Sequence, residues 1–150
     1  MFYLGYSPLA PGTLASLAAL LILSGLHQIL PQSLEPRLLI WLVLFILIYI
    51  ISLTCLKREI KDNNYDQSWV VADEFLGMMV AYLPFLLLII DYPWWWKLMA
   101  LILFRFFDIK KPCGIKKIHQ RRAANAVFLD DILAGFYSVI IFYAIITIFF

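Results

Sequence analysis

Charge is scarce in this chain: Asp, Glu, Lys and Arg make up only 15% of its 150 residues, against 64% hydrophobic. The mean hydropathy is +0.89. That balance excludes an ordinary soluble domain and points to a membrane protein. Histidine and cysteine are equally sparse, at two each. Cys55 and Cys113 lack metal-ligand spacing and read as reduced thiols, while His27 and His119 show no partner pattern and read as surface or interfacial residues. A zinc site is therefore not expected. No basic start precedes the first apolar run and no small-residue cleavage pattern follows it, so that run is expected to remain in the mature protein. No internal repeat is present.

What is present is a series of five apolar runs: Leu14 to Leu30, Leu38 to Leu56, Phe75 to Ile90, Trp94 to Phe107 and Ile132 to Phe150. Only the second and fifth approach the roughly 20 residues that span a bilayer unaided, and Pro84 interrupts the third. The expected fold is an all-α integral membrane protein, a single helical membrane domain over residues 1–150. It is a bundle of about four to five transmembrane or partly inserted helices.

The basic residues are unevenly placed. Lys57, Arg58 and Lys61 follow the second run, and Lys110, Lys111, Lys116, Lys117, Arg121 and Arg122 follow the fourth. The alternate connections hold only Arg37 and Lys97. The positive-inside rule then puts the two basic loops and the N-terminus in the cytoplasm and the C-terminus outside. The "DYPWWWK" stretch reads as an aromatic belt at the outer interface.

Against so few charges, the placement of the acids stands out. Asp73 and Glu74 open the third run, Asp108 closes the fourth, and Asp130 and Asp131 open the fifth, so all five fall at the cytoplasmic boundary. Helix capping accounts for an acid at a helix start. It accounts poorly for Asp108 near a helix end and for doubled acids. Five carboxylates at one face repel each other, and a charge placed toward the apolar region costs roughly 2.5 to 3.5 kcal/mol. A divalent cation relieves both costs, and hard oxygen ligands without clustered His or Cys favour magnesium or manganese. Magnesium in turn binds substrate phosphates. In "FRFFDIKKP", Arg105, Asp108 and Lys111 recur every three residues along one helix side before Pro112, which suits a fork and a point charge on phosphate. The bland alternative is a snorkelling Arg and a topological basic loop. The N-terminal "GYSPLAPGTLAS" places Ser7, Gly12 and Thr13 at the same face, either to cap the first helix through Thr13 or to admit a phosphate.

The blocks "GYSPLAPGTLAS", "VVADEFLGM", "LFRFFDIKKP" and "LDDILAG" together resemble the phosphatidylglycerophosphatase A family of bacterial membrane lipid phosphatases. The resemblance implies magnesium-dependent hydrolysis of the phosphomonoester of phosphatidylglycerophosphate, giving phosphatidylglycerol and phosphate at the cytoplasmic face of the inner membrane. It also implies Asp73, Glu74, Asp108, Asp130 and Asp131 as metal ligands, with Asp108, Asp73, Asp131, Arg105 and Lys111 catalytic. Arg105, Lys111, Ser7, Gly12 and Thr13 are then the substrate-binding residues. The partner is a phospholipid in the bilayer, not a nucleic acid. Departures fall in loops: "KPCG" lacks the family's second proline, "AANAV" replaces a glycine-rich stretch, and Ser68 stands where glycine is common. The nucleophile is expected to be a metal-activated water, with an aspartyl nucleophile at Asp108 as the alternative. A small ion or solute transporter is the rival reading, and a non-catalytic membrane protein the third. Transporters place ionisable groups near the midplane, whereas here the acids sit at one edge.

Overall fold

The computed structural model describes residues 11–59, 71–87, 93–111 and 124–149. Among the described residues six helices follow one another: α1 (Pro11–Ile29), α2 (Leu34–Glu59), α3 (Ala72–Ala81), α4 (Leu83–Leu87), α5 (Trp94–Lys110) and α6 (Ala124–Phe149). No strand occurs among the described residues. Among the described residues three stretches are long and apolar enough to cross a bilayer: Gly12–Ile29, Leu34–Lys57 and Phe128–Ile148. The first run is thus longer than its apolar core implied, because helix α1 starts at Pro11, where a missing N–H costs nothing. Thr13 consequently lies inside the first turn, exposed, and is not the N-cap.

The third run divides as its proline requires. Helix α3 ends at Ala81, Tyr82 forms a turn, and Pro84 sits in the five-residue α4. A proline at that place has no N–H for the carbonyl four residues back, so the chain restarts with Phe85 N–H bonded to the Tyr82 carbonyl at 3.1 Å. Helix α3 is nonetheless the centre of the bundle, with Leu76 to Ala81 all buried. It packs against α6, α1, α2 and α5. An apolar helix covered on all sides is what a bundle core demands. The outer helices instead turn large apolar side chains outward: Leu39, Leu42 and Ile50 on α2, Ile102 and Phe106 on α5, Ile140 and Ile148 on α6 are exposed. Lipid is the medium in which such faces are stable.

One end of the bundle is tied by Arg37. Its guanidinium is 2% exposed and donates to the carbonyls of Pro31 (2.9 Å), Gln32 (2.7 Å) and Leu86 (3.3 Å). Carbonyls just past the end of α1 and at the end of α4 lack intrahelical partners, and a cation there is favoured by the dipoles as well. The sequence marked Arg37 only as a lone loop charge. At the start of α5, Trp94 and Trp95 are about half exposed. His27, read as surface or interfacial, is half-buried near the end of α1 and approaches Tyr82 Oη with Nδ1 at 3.4 Å, and Tyr82 stacks on Trp41.

Candidate active site

At the opposite end from Arg37, four helix ends converge: the starts of α1, α3 and α6 and the end of α5. This follows from contacts between them. A Cβ on Gly12 of α1 would lie 2.5 Å from Glu74 Oε1 on α3 and 2.9 Å from Arg105 Nη2 on α5. Lys111 at the end of α5 meets Asp130 of α6 at 2.6 Å. Gly12, Glu74, Arg105, Lys111 and Asp130 thus lie at one end of the bundle.

The carboxylates fall into two kinds. Asp73, Glu74 and Asp131 bring one oxygen each within 4.8 Å of one another. No Lys or Arg forms an ion pair with these three among the described residues. Asp108 and Asp130, by contrast, hold protein cations: Arg105 Nη1 to Asp108 Oδ2 at 2.5 Å, and Lys111 Nζ to Asp130 Oδ2. Asp108 also lies within hydrogen-bonding reach of Asp131, so the two groups adjoin. Thus the structure brings all five acids to one place and distinguishes three as a cluster and two as ion-paired neighbours.

Capping explains little of this. Val71 is the N-cap of α3 and makes no side-chain capping bond. Helix α6 begins at Ala124, six residues before Asp130, so Asp130 and Asp131 lie in the second turn and not at the helix start that the apolar run implied. Both are nearly fully buried, at 3% and 4% exposed. Asp73 Oδ1 accepts the Glu74 backbone N–H at 3.1 Å. Burial first, and then the adjacent Glu74 charge, push the Asp73 carboxyl well above the usual carboxylate range. Glu74 Oε2 and Arg105 Nε are buried with no hydrogen-bond partner. Buried polar atoms are rarely left unmatched, and an orphaned carboxylate oxygen and an orphaned guanidinium nitrogen at one end of the bundle are the complement of a cation and an anion.

Lys111 departs from its predicted position on one side of α5. It ends the helix in the left-handed conformation (φ 43°, ψ 54°), with its N–H on the Phe107 carbonyl at 2.9 Å. Its side chain crosses to α6. Burial lowers its affinity for the proton, but the hydrogen bond and charge of Asp130, with Asp131 and Asp108 behind, leave its pKa raised. Lys111 is held cationic. Ser7 and Pro112, with Cys113, Lys116, Lys117 and His119, lie outside the described residues. Cys55 is a free, exposed thiol on α2.

The crossing of α3 and α6 sets the spacing of the cluster. A Cβ on Gly77 would lie 2.8 Å from the Asp131 carbonyl, and one on Gly135 would lie 2.5 Å from the Gly77 carbonyl. Two glycines facing each other let the backbones approach as in other membrane helix pairs. Neither was singled out from sequence, although "FLGM" and "LAG" sit one turn beyond each acidic pair.

Fold and site define a class: an all-α membrane protein with a partly buried acidic cluster, flanked by Arg and Lys, at one end of the bundle. Known proteins narrow the class. The model of the phosphatidylglycerophosphatase A family matches residues 1–146, and the chain belongs to that family of phosphoric monoester hydrolases. Among curated relatives, a protein of Bacteroides thetaiotaomicron named "Putative phosphatidylinositol-3-phosphatase" is 34% identical over 140 residues, 91% of this chain and 84% of the relative. The phosphatidylglycerophosphatase A of Haemophilus influenzae is 34% identical over 138 residues, 91% of this chain and 78% of the relative. That of Escherichia coli is 31% identical over 142 residues, 94% and 77% respectively. No solved structure matches.

Proposed function

We propose that the protein hydrolyses the phosphomonoester of phosphatidylglycerophosphate to phosphatidylglycerol and phosphate, with magnesium bound by Asp73, Glu74 and Asp131. The reaction face is the cytoplasmic side of the bacterial inner membrane, where the positive-inside rule puts the basic loops. The single observation that carries the reading is the three-carboxylate cluster beside Arg105. The donor set fits magnesium: all oxygen, anionic, close enough to share an ion, and including the unpartnered Glu74 Oε2. Bound there, magnesium would supply Lewis acidity toward the phosphoryl oxygens and lower the pKa of a water.

The chain's own groups supply the rest. Arg105 is oriented by Asp108, which occupies Nη1 and leaves Nε unpartnered for an equatorial phosphoryl oxygen. Lys111, fixed by Asp130, adds a second positive charge at the same end. Gly12 brings the first turn of α1 against both Glu74 and Arg105, so no side chain of α1 intrudes between them. Because Asp108 is engaged with Arg105 and adjoins Asp131, its role in this reading is to aim the guanidinium, and a water is the nucleophile.

The test is phosphate release by purified protein in mixed micelles of phosphatidylglycerophosphate, with and without magnesium, alongside phosphatidylinositol 3-phosphate. Release that requires magnesium and is faster with phosphatidylglycerophosphate is expected. Faster turnover of the inositol lipid would overturn the headgroup assignment, and full activity after chelation would overturn the metal.

A further inference from the structure

The mechanism accounts for the charged end of the bundle and leaves an apolar groove unused. A cavity of about 400 Å³ lies between α2, the α3–α4 segment and α6, lined by residues including Leu42, Phe45, Val80, Leu83, Ile132 and Phe136. That size is within the range of ligand sites. All of its lining residues are apolar. We propose that this groove seats one acyl chain of the phospholipid whose phosphate lies at the carboxylate cluster. The inference rests on the lipid phosphatase reading above.

Three observations fix this occupant. The floor of the groove belongs to the two helices that carry the metal-binding acids. Ile132 directly follows Asp131, and Val80 lies six residues beyond Glu74, about 9 Å deeper along α3. A lipid with its phosphate at the cluster has its chains running in that direction and to that depth. The groove also faces lipid and not water. Tyr49 of α2 packs edge-on against Phe128 of α6 at 5.8 Å, closing the α2–α6 seam at the carboxylate end. Leu42 and Phe136 on its rims are 54% and 49% exposed on the apolar flank of the bundle. Finally, α2 touches its neighbours sparingly, and most of the residues along its span are exposed. Its first half meets the bundle through buried Arg37 and Trp41, with Leu38, Leu42 and Phe45 along the groove, and Leu83, just past the break at Tyr82, forms part of the facing wall.

Two measurements test the proposal. The first is kinetic: Leu42→Trp and Phe136→Trp narrow the slot and touch no charged group. Both variants should lose about tenfold in kcat/KM on long-chain phosphatidylglycerophosphate, comparable to losing the burial of roughly two methylenes. Both should retain turnover of the deacylated, water-soluble phosphomonoester. Equal activity on the two substrates, or equal losses on both, overturns the groove. A wild-type protein that releases phosphate from neither substrate removes the underlying reading, and the groove falls with it. The second measurement needs no catalysis. A phosphatidylglycerophosphate with a diazirine in its acyl chain should label residues 38–45 and 132–136. Excess unlabelled phosphatidylglycerophosphate should suppress that labelling and phosphatidylcholine should not. Labelling that both lipids suppress equally means bulk lipid fills the slot, and labelling replaced by a cross-linked dimer means a second copy does. Either overturns the assignment.

Discussion

Gly12→Ala adds one methyl group, and the structure states where it goes. The new Cβ would stand 2.5 Å from Glu74 Oε1, 2.9 Å from Arg105 Nη2 and 3.0 Å from Arg105 Nη1. Ordinary contact begins at 3.4 Å, so the carboxylate must retreat by about 0.9 Å and the guanidinium by about half that. Both are far ends of flexible side chains, which makes the shift cheap for folding. Alanine also favours helix over glycine by about 1 kcal/mol in an interior, somewhat less in a first turn. Stability should stay level or rise slightly. Catalysis should not: a misplacement near 1 Å costs on the order of 100-fold in rate, and two site groups move at once. The control is Gly25→Ala on the same helix, whose Cβ meets nothing within 4 Å. It should gain stability with unchanged turnover. The assay pairs thermal unfolding in detergent with phosphate release at saturating lipid. Gly12→Ala with wild-type turnover would mean that Glu74 and Arg105 need not keep their places, and the site as described would be wrong.

Four other outcomes follow from the same geometry. Asp73→Asn and Asp131→Asn should each abolish hydrolysis in a folded protein and weaken binding of manganese followed by electron paramagnetic resonance; undiminished binding would remove the residue from the metal site. Arg105→Ala should lower turnover by several powers of ten, whereas Lys57→Ala, exposed on α2, should leave it unchanged; equal small losses would make Arg105 a snorkelling anchor. Lys111→Met breaks the ion pair on buried Asp130 and should lower stability, by up to about 3 to 5 kcal/mol, with Lys111→Met/Asp130→Asn recovering much of it; an additive double variant would show that the pair is not coupled. Arg37→Met strips three charge-assisted bonds to carbonyls, worth roughly 1.5 to 3 kcal/mol each, and should lower the unfolding temperature while sparing turnover per folded molecule; no change in melting would refute the tie.

The all-α membrane fold was legible in the sequence, and so were the acids of the candidate site. Asp73, Glu74, Asp108, Asp130 and Asp131 declare themselves because charge is so rare in this chain that each acid at an apolar boundary demands an account. Pairing was less visible. That Lys111 would leave the α5 side for Asp130 depends on a left-handed residue at the helix end, which no periodicity foretells in a lysine. Apolar runs placed the starts of α1 and α6 too late. Helix α6 starts two turns before the run at Ile132, since "ANAVF" is helical without being uniformly apolar, and α1 gains its first turn from Pro11 and Gly12. Arg37 looked like a topological charge because its partners are backbone carbonyls, and backbone acceptors leave no trace in the residue pattern.

The glycine pair shows why the acids must come from these two helices. Asp73 and Glu74 precede Gly77 by four and three residues, and Asp131 precedes Gly135 by four. On a helix, that spacing puts each acid one turn from the glycine and near the same face. Helices that cross at Gly77 and Gly135 therefore meet again, one turn toward the water, at their carboxylates. The backbone contact at the crossing, where a Cβ on Gly135 would overlap the Gly77 carbonyl, fixes the interaxial distance. That distance in turn fixes the separation of the carboxylates at a value an ion can bridge. Widening the crossing by one methyl group draws Asp131 away from Asp73 and Glu74 without altering any of the three. Gly135→Ala is thus expected to weaken manganese affinity with every ligand in place, whereas a purely structural loss would lower the yield of folded protein and leave the affinity of the folded fraction unchanged.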